Sequence, residues 1–199
     1  MKGFSGLVRI SLFVFAILAL SGISLRADSI DFSTTGSFNG SGNSIMFGTG
    51  GNTLTVTFTG VNTVALNDSP FTFSSLGTFQ TAIAGSGATI TSPANFSLDI
   101  MQSLPTSGNG SLLGVLDGMV SQNQSTAEVT FSVTSIMIGA ETYALTNNPL
   151  PLVPPATNSG MTTVQAKISG PAVPDSGSTI LLLGSSLVLV FGSRRFLPG

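Results

Sequence analysis

The sequence predicts an all-β protein: an antiparallel β-sandwich body flanked by an N-terminal signal peptide and a C-terminal transmembrane helix. Three observations carry this expectation. Strict two-residue alternation between apolar and hydroxyl side chains recurs through the middle of the chain, with no long amphipathic helical pattern beside it. Residues 28–170 hold 42 serines and threonines and 17 glycines, a composition suited to strands and tight turns. Continuous apolar runs stand at both ends of the 199-residue chain, outside that region.

Residues 1–27 have the three parts of a secretory signal: Lys2 and Arg9 near the start, an apolar run from Ile10 to Ile23, and Ser-Leu-Arg-Ala at 24–27. This pattern calls for the Sec export machinery and for a signal peptidase cutting after Ala27. Cleavage after Ser24 is the alternative, because it puts the small Gly22 rather than the bulkier Leu25 at the third position before the cut. An uncleaved signal anchor is the remaining reading of the same run.

Residues 28–170 are enough for one domain with a hydrophobic core and too few for two comfortable ones. The clearest strand is 52–59, with Leu54, Val56 and Phe58 on one face and four threonines on the other. Residues 126–134 repeat the pattern, predicting Val129, Phe131 and Val133 inside and Glu128, Thr130 and Ser132 outside. Phe96, Leu98 and Ile100 form a third inward set, and Val164, Ala166 and Ile168 a fourth, in a last strand ending at Ser169. Shorter strands are expected at 30–38, 44–48, 70–74, 78–83, 87–91, 111–116, 136–140 and 141–145. Asn39-Gly40, Gly50-Gly51 and Ser107-Gly108-Asn109-Gly110 supply turns between them. Spacing of this kind argues for two antiparallel sheets, each with one face solvated by hydroxyls. Residues 147–157 contain four prolines, which remove ladder donors, so this stretch reads as an extended loop and not a central strand.

The absence of His and Cys excludes the usual zinc, haem, iron–sulfur and copper sites, a Ser-His-Asp triad, a cysteine nucleophile and a disulfide. No cofactor and no resident metal are expected. Within 28–170 seven acids face a single base, Lys167, so phosphate backbones find no partner there and nucleic acid is excluded. Asp99, Asp117, Glu128 and Glu141 are the conceivable acid–base groups, but Asp99 and Glu128 fall on outward faces and nothing in the sequence brings two of them together. Asp28 and Asp31 could join a calcium site only with backbone oxygens, since no calcium-loop spacing exists. Gly108 to Gly114 lacks the lysine and the spacing of a phosphate loop, and Lys167 lies on the solvent side of its strand. With no Trp and one tyrosine, Tyr143, the body lacks the usual sugar-stacking platforms, and its nine phenylalanines read mostly as core. No catalytic residue is therefore expected.

Beyond the body, Val173-Pro174-Asp175-Ser176-Gly177 precedes an apolar run, and the run is closed by Arg194-Arg195. From Ser178 to Ser193 the run is 16 residues, about 24 Å as a helix against a hydrocarbon core of roughly 30 Å. The basic pair stays cytoplasmic by the positive-inside tendency and acts as the stop, so the body lies outside the cytoplasm. This order of motif, helix and basic cluster in 171–199 resembles the C-terminal sorting signal of the PEP-CTERM class, in its VPDSG-CTERM variant. The resemblance implies a bacterial protein that is exported, held briefly in the inner membrane, and cut near the motif by an exosortase, a multispanning cysteine protease. The destination is then the cell surface or the extracellular space. The function expected is non-enzymatic, structural or adhesive in an extracellular matrix, where polysaccharide is a conceivable partner. The alternatives are a carboxylate-dependent enzyme acting on extracellular polysaccharide and a permanently anchored single-pass surface protein.

Overall fold

A computed structural model describes residues 29–62, 64–67 and 71–170, all within one compact unit, Ala27–Ala172. Ala27, the motif Val173–Gly177, the run 178–193 and Arg194-Arg195 lie outside the described residues. In chain order the strands are β1 (Ser29–Phe38), β2 (Ser44–Thr49), β3 (Asn52–Thr59), β4 (Val64–Asn67), β5 (Thr72–Ala84), β6 (Ala88–Thr89) and β7 (Ala94–Leu104). There follow β8 (Gly108–Asp117), β9 (Met119–Val120), β10 (Glu128–Phe131), β11 (Ser135–Ile138), β12 (Glu141–Leu145), β13 (Leu150–Pro151) and β14 (Met161–Ser169). The first sheet runs β13-β10-β8-β7-β1-β4 and the second β11-β12-β14-β5-β3-β2, with β6 and β9 forming a separate ribbon. Every pairing is antiparallel.

Alternation places the core. Leu54, Val56 and Phe58 of β3, Phe96, Leu98 and Ile100 of β7, and Val164, Ala166 and Ile168 of β14 are all buried, as their spacing predicts. Both large sheets feed one aromatic centre: Phe96 of the first lies 5.2 Å from Phe58 and 4.8 Å from Phe79 of the second, centroid to centroid. The rings meet tilted, the orientation their quadrupoles favour, and each such buried phenylalanine contributes about 1.5–3 kcal/mol through lost water contact.

Three expectations need correction. Residues 70–74 and 78–83 are one strand, β5, because a bulge joins them: Ser75 pairs with Gln165 and Gly77 with Val164, leaving Leu76 as the extra residue. Gly77 takes φ +133° there, and a side chain on it would strike the Phe58 ring. The strand at 126–134 is shortened to β10, and Val133 is 38% exposed instead of buried. The Asn148 side chain explains the stop, since its amide nitrogen donates to Phe131 O at 2.9 Å and its oxygen accepts from Phe131 N at 2.8 Å, replacing a neighbouring strand. Gly108 and Gly110 are not turn residues but inward positions of β8. A side chain at either would come within 2.8 Å of Ile138 or Ile136, so glycine lets β11 close over the first sheet. Six of the nine phenylalanines of the body are buried, as the reading of them as mostly core expects, while Phe71 and Phe73 are 43% and 59% exposed. The proline-rich stretch does contribute a two-residue strand, β13, but only at a sheet edge, where Pro151 needs no ladder donor.

Candidate functional site

Register fixes which chain ends share a pole of the body. β1 begins where β7 ends, Asp31 opposite Leu104, and β8 begins opposite Gln102. The Gln102 side chain reaches the carbonyl of Ile138, which pairs with Glu141; Thr142 then pairs with Ser169, the last residue of β14. The start of β1 and the end of β14 therefore lie at one pole, called here the near pole. The predicted signal region enters the body there, and the predicted sorting motif leaves it from there. Asp117, Glu128 and Met161 belong to the far pole.

Inside the near pole sits a buried polar group of three side chains. Tyr143 Oη donates to Gln102 Oε1 at 2.7 Å, and Gln102 Nε2 donates to Thr106 O at 2.9 Å. Glu141, on the same inward face of β12 as Tyr143, is 1% exposed. Burial, and secondarily the negative charge of Glu141, pushes the Tyr143 phenol well above its ordinary value, so it stays protonated and acts as a fixed donor. Its proton is committed to Gln102, so the group ties β7 to β12. The signal for it was in the sequence: Gln102 continues the inward column Phe96, Leu98, Ile100, where a polar residue demands a partner.

Among the described residues the other acids are spread out, with one exception. Asp99 Oδ1 accepts from Ser97 Oγ at 3.0 Å and from Ser111 Oγ at 2.6 Å on the outer face of the first sheet. Asp31 Oδ1 is buried and accepts no hydrogen bond from the described residues, while Asp28 lies outside them. Glu128 stands directly opposite Asp117 across the β10–β8 ladder. Local sequence could not reveal this, because cross-strand register is a long-range property. Asp117 is exposed and Glu128 half-buried, and two concavities of about 280 and 300 Å³ elsewhere on the surface have no carboxylate in their walls. Among the described residues no three potential metal ligands cluster. Lys167 is exposed, its Nζ 4.2 Å from the centre of the Phe71 ring. No helix among the described residues is long and apolar enough to cross a membrane.

Residues 172–196 match the family model of the VPDSG-CTERM motif, a C-terminal sorting signal of exported proteins. No curated protein and no solved structure matches the chain.

Proposed function

We propose that this chain is an exported β-sandwich protein delivered to the cell surface or extracellular matrix by a processed C-terminal sorting signal, with a structural or adhesive role and no catalysis. The match at 172–196 is the observation that carries the reading. In it, the Sec machinery exports the chain and signal peptidase cuts after Ala27. The helix at 178–193 then inserts, Arg194 and Arg195 hold its end in the cytoplasm, and an exosortase-type protease cuts at Val173, Pro174, Asp175, Ser176 or Gly177. The turn-prone Pro-Asp-Ser-Gly sequence suits this, since it keeps the scissile backbone out of regular structure and within reach of a membrane-embedded protease.

Two features support the absence of catalysis. Asp117 and Glu128, the one pair of acids in register among the described residues, stand on a strand face and line neither concavity, and the buried Tyr143 has its proton engaged. A polysaccharide hydrolase needs such a pair at the wall of a groove that holds the chain.

The test is the fate of the tail in cells possessing an exosortase. Wild-type protein is expected outside the membrane fraction, with an intact mass for a chain starting at Asp28 and ending within 174–177. The Pro174→Ala, Asp175→Ala double variant is expected as a membrane-bound precursor. Wild-type chains running to Gly199 overturn processing and leave a permanently anchored surface protein.

A further inference from the structure

We infer that the outer face of the second sheet at the near pole is a foot that beds into the lipid interface while the tail is still inserted, an inference that rests on reading 178–193 as a membrane helix. Two cross-strand rows make up this face. Met137, Thr142 and Ser169 are consecutive partners across β11, β12 and β14; one row further in, Ser135, Ala144, Lys167 and Phe73 are partners across β11, β12, β14 and β5. Phe71 precedes β5 beside these rows, its ring edge-on to Phe73 at 5.6 Å. Met137 is 70% exposed, so three large apolar side chains, Met137, Phe71 and Phe73, face solvent in or beside these two rows, with Lys167 the one long residue among otherwise small ones.

The rest of that face differs. Its other exposed large apolar residues, Met46 and Met161, stand singly, opposite Thr55 and Gln80. Lys167 is the only base among the described residues, and it lies over Phe71. The ammonium stands over the ring face in a cation–π contact, so the charge on this patch is paired with an aromatic ring and not isolated among apolar groups.

What covers this face follows from where the chain goes next. Ser169 belongs to the outer row, and the apolar run begins at Ser178. Nine residue steps span at most about 30 Å fully extended, so an inserted helix keeps this pole of the body within that reach of the bilayer. Three side chains are too few to bind a membrane from solution, but tethering raises their effective concentration to the millimolar range. Cutting near the motif removes the tether, and the foot then lets go. Apolar burial drives the contact, because the body's excess of acids gives it no attraction to anionic lipid.

The chain contains no tryptophan, so a single introduced indole reports its own surroundings. Full chains carrying Phe73→Trp, or Gln80→Trp on the same face near the far pole, are reconstituted into phosphatidylethanolamine–phosphatidylglycerol vesicles with brominated acyl chains. Bromine is expected to quench the Phe73→Trp variant at least about threefold more than the Gln80→Trp variant, with the difference lost after proteolysis between Ser169 and Ser178. Equal quenching in vesicle-bound protein overturns the foot alone. An unquenched Phe73→Trp variant whose emission shifts blue with protein concentration overturns it in favour of a second copy of the chain. Failure to float with vesicles at all overturns both the foot and the membrane-helix reading.

Discussion

A phenol held neutral inside a sheet makes Tyr143 a titratable weak point. Because its folded value is raised, the native state binds a proton that the unfolded state releases, so its contribution is fully present below the ordinary phenol value and is lost as pH rises above about 10. Denaturant midpoints taken between about pH 8 and about pH 12 should fall along the alkaline limb in wild type. Tyr143→Phe should flatten that limb while costing about 1–3 kcal/mol at neutral pH, because Gln102 Oε1 is left buried without its donor. An alkaline fall of equal steepness in the variant would assign the sensitivity elsewhere. Glu141 marks the boundary of what one residue discloses. Its alternation with Tyr143 is visible in the sequence, but its burial depends on which side β12 turns to the core.

Strands were legible where alternation is long and uninterrupted, as in β3, β7 and β14, because a period of two needs only local residues to assign both faces. Leu54→Asp and Phe131→Asp should therefore abolish cooperative unfolding, each forcing a carboxylate into the core at a cost of several kcal/mol. Thr55→Asp and Ser132→Asp, one residue along on the outward faces, should shift the midpoint little; equal damage from both sets would mean strands covered on both sides. Legibility failed where distant chain intervenes. The stop after Phe131 is imposed by Asn148, the glycines of β8 answer to isoleucines of β11, and the bulge at Leu76 is shaped by Phe58. Gly77→Ala tests the last of these. Ring and backbone conformation both oppose the added methyl, so a loss of about 2–4 kcal/mol in urea unfolding is expected, against about 1 kcal/mol for Gly50→Ala, which meets nothing within 4 Å and bears only the strain of its own positive φ of +65°.

At the scale of the whole molecule the sorting signal was readable and the body's role was not. A motif of contiguous residues survives without a fold, as the match at 172–196 illustrates, whereas the Asp117–Glu128 opposition and the rows around Phe71 exist only once strands are in register. Unfolding curves with and without chelator should coincide, since no cluster of ligands is assembled among the described residues; a large loss in chelator would point to Asp31. The shared pole of the two chain ends has a mechanical consequence. β14 lies between β12 and β5 and hands its C-terminal end to the tail, so force entering through the tail acts along this strand. Ladder hydrogen bonds run across the strands, so a pull between the tail and the far pole loads them together, in shear. A pull between the tail and Ser29 draws apart two ends at the same pole and loads the bonds one after another, as in opening a zip. Single-molecule stretching should therefore give a higher rupture force for a handle on Asp117 than for one on Ser29, making the body a load-bearing link in one direction and a yielding one in the other.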